Sequence, residues 1–143
     1  MNLAPVTLEG RYITLEPIAE RHAAGLFEAM QDEEVCRYLA WTPPRAIDET
    51  LELIRQAEGL MARRESIVFA QVWRETGRAI GSTRLLDVRP ADRQVEIGST
   101  FLAREYWRTP ANTESKQRDT VYFSILDTEW PSVRSRLAAR LYA

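Results

Sequence analysis

Ser66-Ile67-Val68-Phe69-Ala70-Gln71-Val72-Trp73-Arg74 and Ala79-Ile80-Gly81-Ser82-Thr83-Arg84-Leu85-Leu86-Asp87-Val88 flank the short step Glu75-Thr76-Gly77-Arg78. The β-branched and aromatic residues of the first run favour extended backbone. Gly77 supplies the positive φ that a tight reversal demands, so the pair reads as a hairpin. A second turn, Pro90-Ala91-Asp92-Arg93, leads into Gln94-Val95-Glu96-Ile97-Gly98-Ser99-Thr100-Phe101-Leu102, the third strand of an antiparallel meander. Upstream, residues 6–16 alternate apolar and polar side chains around Gly10-Arg11 and predict one kinked, half-buried strand that Pro17 ends. Ala23, Leu26, Phe27 and Met30 recur at helical spacing between Glu20 and Gln31. Asp32 to Pro44 reads as a loop anchored by Tyr38 and Trp41. A second helix follows from about Asp48, taken as its N-cap, through Leu51, Ile54, Ala57, Leu60 and Met61.

Downstream the pattern is less regular. Ala103 to Arg118 is loop-like and then briefly compatible with helix. Asp119 to Leu126 reads as a strand. A final helix is predicted from Asp127, its N-cap, with Glu129 close behind and Pro131 in the first turn, through Trp130, Val133, Leu137 and Leu141. Strand, helix, helix and meander in that order predict an α+β or mixed α/β domain with helices packed on a sheet.

Composition narrows the function classes. A length of 143 residues suits one domain, and 45% hydrophobic with 28% charged residues is ordinary for a globular chain. The formal charge of -2 argues against nucleic acid as a partner, because nonspecific binding to phosphate needs a positive surplus. No long uncharged apolar run points to a membrane, and Met1-Asn2-Leu3-Ala4-Pro5 lacks the basic start and apolar stretch of a secretory signal, so the expected compartment is the cytoplasm. Cys36 and His22 stand alone as representatives of their types, which excludes a Cys/His zinc site; no metal is expected. Asp32-Glu33-Glu34 beside Cys36 discourages its thiolate, so a structural cysteine is expected. Lys116 is the only lysine among 19 basic residues, and the arginines are scattered.

No serine elbow or Walker loop is present. Glu96, inside an apolar strand, is a candidate general base if the strand buries it, and a solvent-facing carboxylate if the alternation turns it outward. The loop at 107–113 precedes a short helix-compatible stretch, and N–H groups at a helix start suit an anion. Trp41, Trp73, Trp107 and Trp130 read as core or interface anchors. Arg37, Arg45 and Arg84 read as solvated surface residues, with a substrate carboxylate as the alternative partner. Glu33 and Glu34 read as a charged loop that would also attract a cationic acceptor.

Leu8-Glu9-Gly10-Arg11-Tyr12-Ile13-Thr14-Leu15-Glu16-Pro17 resembles the opening strand of the GCN5-related N-acetyltransferases (GNAT), in the branch that acetylates ribosomal-protein N-termini. Four further segments are similar to that family in the same order: Thr76 to Thr83, Val95 to Gly98, Tyr106 to Glu114, and Arg118 to Leu126. The resemblance implies a three-layer mixed sheet and a single domain over residues 1–143. It implies acetyl-CoA as cosubstrate and an amine acceptor, either a small molecule or a protein N-terminus. It places pantetheine along Ser99 to Ala103, with Thr100, Phe101 and Leu102 as contacts. It places pyrophosphate on the loop at Arg108, Thr109, Ala111, Asn112 and Thr113, and makes Glu96 the catalytic base.

Two departures from the family pattern accompany this. Pro110 stands where the phosphate loop carries its first glycine, and proline has no N–H to offer. After Lys116 the chain passes directly to Gln117, omitting the family's helix-strand-helix segment and its tyrosine general acid. The expected fold is thus truncated to about five strands and three helices, with residues 119–126 antiparallel to 94–102. The alternative is an open sheet edge covered by a second copy, a homodimer. The same departures support a second function class, a catalytically inactive remnant that serves as a binding or dimerisation module.

Overall fold

Two glycines and one buried strand organise the chain. The computed structural model describes residues 4–37, 39–89, 91–92, 94–115 and 128–142. Its sheet has the order β1-β2-β3-β4-β5, with β1 Leu8–Glu9, β2 Ile13–Pro17, β3 Ile67–Trp73, β4 Arg78–Arg89 and β5 Gln94–Leu102. Every pairing in it is antiparallel. The helices are α1 Ala23–Ala29, α2 Glu33–Cys36, α3 Ile47–Ala62, α4 Pro110–Ser115 and α5 Trp130–Tyr142, with 3-10 turns at Glu20–His22 and Arg104–Tyr106. No helix among the described residues is long and apolar enough to cross a membrane.

The meander forms where the periodicity places it. β3 is central and buried on both faces: Ile67 to Val72 are all buried, the polar Gln71 among them. The β3–β4 turn closes with Gly77 at φ +69°, its N–H donating to the Trp73 carbonyl at 2.8 Å. The expected kink at Gly10-Arg11 is a full reversal instead. Gly10 N–H donates to the Ile13 carbonyl, and Leu8 pairs with Leu15, so one predicted strand is two. The sheet therefore reaches five strands through this hairpin. Residues 116–127, including the predicted strand 119–126 and the Asp127 cap, lie outside the described residues.

Helix boundaries also shift. The helix expected over Glu20 to Gln31 is a 3-10 turn followed by α1, and the loop expected at Asp32 contains α2, capped by the Asp32 carboxylate accepting from Glu34 N–H at 2.9 Å. Asp48 is not an N-cap: α3 starts at Ile47, and Asp48 lies in its first turn, where a carboxylate meets the positive end of the dipole. The N–H of Arg45, just ahead of that helix, donates to the Glu49 carboxylate at 2.7 Å.

α1 lies on β4 so closely that only glycine fits at position 25. A Cβ there would stand 2.2 Å from the Ala79 carbonyl oxygen. Behind this contact Leu26, Ala29, Ile54, Ala57, Val68, Ala70 and Ile80 form part of one continuous core. Cys36 belongs to it, donating to the Met30 carbonyl, and burial followed by the nearby Asp32 pushes its thiol pKa up, as a structural cysteine requires. α5 differs: Trp130 is 48% exposed, so this tryptophan is no core anchor.

His22 links β2 to α1. Its Nδ1 accepts from Ala19 N–H at 3.1 Å, so that nitrogen carries no proton. Nε2 is then the protonated nitrogen and donates to Glu16 Oε2 at 3.0 Å, while Arg21 holds the same carboxylate at 2.7 Å. Burial lowers the imidazole pKa against the opposing pull of Glu16, and the Arg21 hydrogen bond leads in holding the Glu16 carboxyl below its usual range.

Two outcomes follow for stability. Gly25→Ala destabilises the fold by about 1–3 kcal/mol, seen as a lower urea midpoint at constant slope. For His22 the unfolded chain takes up a proton first, near the ordinary imidazole value of 6.5. Its contribution is complete above that pH and is lost as pH falls through the depressed folded value. His22→Gln removes this part of the decline, measured as the urea midpoint against pH above the carboxylate range. A variant with an unchanged slope contradicts the assignment.

Candidate functional site

β5 is the strand on which the candidate residues meet. In its middle the ladder to β4 slips: Ser82 pairs with Phe101 and Arg84 with Gly98, so Ser99 and Thr100 stand opposite Thr83 alone. This is a bulge, and Ser99 adopts φ +47° within it. Thr83 and Thr100 face each other across it with their hydroxyl oxygens 2.8 Å apart. Beyond the bulge, Ala103 N–H donates to the Ile80 carbonyl at 2.7 Å. By strand alternation the backbone groups of Leu102 then point away from β4, toward the outer edge. Its carbonyl accepts from the Trp107 indole N–H at 2.8 Å, which ties the following loop to the strand end.

Glu96 sits half-buried on β5 opposite Leu86. Its Oε1 lies 3.3 Å from where a Cβ on Gly98 would be, so the carboxylate leans along the strand over the glycine. Thr100 is half-buried; Phe101 is buried with its ring edge-on to Trp41 at 5.9 Å; Leu102 is fully buried. The side chains of Phe101 and Leu102 thus belong to the core, and what they offer a ligand is backbone. Trp73 stacks on Tyr12 at 6.2 Å and tilts against Tyr106 at 5.4 Å, so Trp41, Trp73 and Trp107 are anchors, as their type suggests.

The loop after β5 brings the other candidates to the same end of the sheet. Arg108 adopts φ +61°. Thr109 donates to the Tyr106 carbonyl through both its N–H at 3.3 Å and its hydroxyl at 2.6 Å, and Asn112 N–H donates to the Thr109 carbonyl at 3.0 Å. Pro110 occupies the first position of α4, where a missing N–H costs the helix nothing, yet it contributes no donor. Ala111 is fully buried. Asn112 Oδ1 is buried without a hydrogen-bond partner. Thr113 lies in α4, and its side chain falls outside the described residues. The donor set therefore fits an extended amide-bearing ligand along β5. It offers an anion fewer free amides than a glycine-rich loop, since two are already engaged.

Beside this strand end is a cleft of about 380 Å³ between α1, α2 and the start of β4, lined by Glu28, Ala29, Asp32, Arg78, Ala103, Arg104 and Glu105. Arg78 pairs there with Glu28, and Arg104 with Asp32 at 3.6 Å. Glu33 and Glu34 flank the cleft at α2, and Glu34 meets Arg37 at 3.2 Å. Arg37 and Arg45 are exposed as expected, whereas Arg84 is half-buried with its Nε enclosed. Residue order alone does not distinguish an inward arginine from an outward one next to a bulge, which is why Arg84 reads as a surface residue in the sequence. No cluster of three or more potential metal ligands occurs among the described residues.

A family model described as "Acetyltransferase (GNAT) domain" matches residues 13–140. Among solved structures, a GCN5-related N-acetyltransferase from Brucella melitensis superposes with a TM-score of 0.70 at 25% identity, over 96% of this chain and 56% of that one. The chain thus spans little more than half of that relative. A structure from T. thermophilus described as an acetyltransferase gives a TM-score of 0.74 at 25% identity, over 99% of this chain and 100% of that one. RimL, a ribosomal L7/L12 alpha-N-protein acetyltransferase, shares the fold at 14% identity, with a TM-score of 0.64 over 95% of this chain and 66% of its own. No curated protein matches the chain.

Trp107→Phe deletes the tether between loop and strand and leaves the Leu102 carbonyl unpaired. The expected loss is about 1 kcal/mol in urea denaturation, with faster amide exchange confined to β5 and the loop.

Proposed function

The chain belongs to the GNAT acetyltransferase domain family, and on that premise we propose that it transfers an acetyl group from acetyl-CoA to a primary amine, with Glu96 as general base. The observation that carries this reading is the bulged β5: beyond the bulge the Leu102 backbone faces away from β4, and the half-buried Glu96 carboxylate precedes the bulge on the same strand. Acetyl-CoA supplies an activated acyl carbon. The residues of this chain do the rest. The backbone of Ser99 to Ala103 aligns the pantetheine arm by strand-like hydrogen bonds, and Arg108, Thr109, Ala111, Asn112 and Thr113 border the pyrophosphate. Glu96 takes the proton of the acceptor ammonium, because only the free amine carries the lone pair that attacks. A C–N bond forms as the C–S bond breaks, and the proton that the new amide nitrogen sheds passes to the departing thiolate.

The functional branch we assign is that of ribosomal-protein N-terminal acetyltransferases, supported by the opening segment Leu8 to Pro17 and by the shared fold of RimL. We assign residues 1–143 to one domain, shortened after Lys116 relative to the family pattern. Acetyl-CoA and amine are the only partners in this reading, which requires neither metal nor nucleic acid. A specific observation also favours the second reading, a noncatalytic module that binds through an exposed apolar side chain on the sheet: Ile97 on β5 is 57% exposed.

Calorimetric titration with acetyl-CoA separates the two. Binding at millimolar ligand or below, together with a kcat at least about 100-fold lower in Glu96→Gln at unchanged KM for acetyl-CoA, is the expected result. No heat and no shift in melting temperature at millimolar acetyl-CoA leaves only the noncatalytic module.

A further inference from the structure

Arg84 lies in the middle of the sheet, between Val68 of β3 and Gly98 of β5. Its Nε is buried without a hydrogen-bond partner, and among the described residues no carboxylate offsets its burial. A half-buried guanidinium whose Nε is enclosed and that has no counter-charge beside it carries a desolvation cost, which a bound anion would offset.

The neighbouring geometry says what that use is. Leu86 Cδ2 and Glu96 Oε1 both approach the Cβ position of Gly98, at 3.1 and 3.3 Å. Glu96 and Leu86 are directly opposed, as are Gly98 and Arg84. All four therefore share one face of the β4–β5 ladder, with the Glu96 carboxylate leaning toward the row that Arg84 occupies. Diagonal neighbours in such a ladder stand about 7–8 Å apart. The strand positions that carry a carboxylate and an unpaired guanidinium are thus separated on the scale of a small amino acid.

We infer that Arg84 binds a carboxylate on the acceptor and sets specificity for amines that carry this charge a few bonds from the nitrogen. The inference rests on the acetyl-transfer reading for the identity of the bound molecule as acceptor. Guanidinium suits this role because it stays charged and offers parallel donors to both carboxylate oxygens. Glu96 at the other end meets the ammonium, so the two ends of the acceptor are told apart by charge.

The test uses the full chain with ω-amino acids from 3-aminopropionate to 6-aminohexanoate, each compared with its carboxamide. Binding is read by calorimetry with and without CoA, and acetylation by steady-state kinetics. The expected kcat/KM for one or more carboxylates exceeds that of the carboxamide by about tenfold or more, through KM. Arg84→Met abolishes the difference between carboxylate and carboxamide, and Arg84→Lys retains part of it. Arg84→Met is also expected to melt no lower than the wild type, since it removes an unpaired cation. Turnover with equal kcat/KM for carboxylates and carboxamides overturns the inference and leaves acetyl transfer standing. A preference that survives in Arg84→Met, or a lower melting temperature without any preference to lose, likewise overturns it. Carboxylate binding that disappears in Arg84→Met, in a protein without turnover, upholds the anion site and ends the acetyl-transfer reading. Neither binding nor turnover in the wild type overturns both.

Discussion

The bulge that sets Ser99 and Thr100 against Thr83 is the constraint from which the rest of the site takes its form. An extra residue in one strand changes which side chains face which way beyond it. On the near side of the bulge, Glu96 and Gly98 share a face with Arg84 and Leu86. On the far side, Phe101 points into the core against Trp41, and the Leu102 backbone turns outward to meet Trp107. One irregularity thereby serves two purposes. It brings titratable groups together on one side and presents backbone on the edge.

The bulge is held from behind by an unusually close stack. β3 is buried on both faces, which gives β4 a rigid neighbour, and α1 approaches β4 to the distance that Gly25 permits. Gly81 has the corresponding role on the other side, where a Cβ would stand 2.3 Å from the Phe101 carbonyl oxygen. With side chains absent at both positions, β4 has no room to slide in register, because interiors at crystal-like density do not absorb an extra methyl group. The slip between β4 and β5 is therefore fixed in place by packing. The Asp32 cap of α2 and the His22–Glu16–Arg21 cluster then pin the chain where it enters and leaves α1.

Much of this was legible in residue patterns. The meander, the Gly77 turn, both longer helices of the first half and the structural role of Cys36 follow from periodicity and local chemistry. Where local reading erred, a competing local effect explains it. Gly10 allows a complete reversal, so Val6 to Glu16 is a hairpin instead of a kinked strand. Ala46 precedes α3 in place of Asp48, because a carboxylate in the first turn gains from the helix dipole as well as a cap does. The candidates Glu96 and Thr100 to Leu102 lie on one strand, which periodicity reveals, whereas the roles of Thr100 to Leu102 rest on the family resemblance. Arg84 was legible as a partner for a carboxylate but not as a half-buried one, and Thr83 was not found, because their relation to β5 depends on a slip that no single strand encodes.

The sequence by itself determined the antiparallel meander, the helices and the family pattern, since each depends on residues close together in the chain. Only the tertiary structure decided which of those residues face one another. Arg84 lies beside Gly98 although the β4–β5 turn separates them in the chain, His22 carries its proton on Nε2 because Ala19 N–H occupies Nδ1, and α1 rests on Ala79 because Gly25 has no side chain. Register across strands and the distance between layers are set by how all the side chains pack at once. A run of alternating residues specifies a face, and the packed core specifies what that face meets.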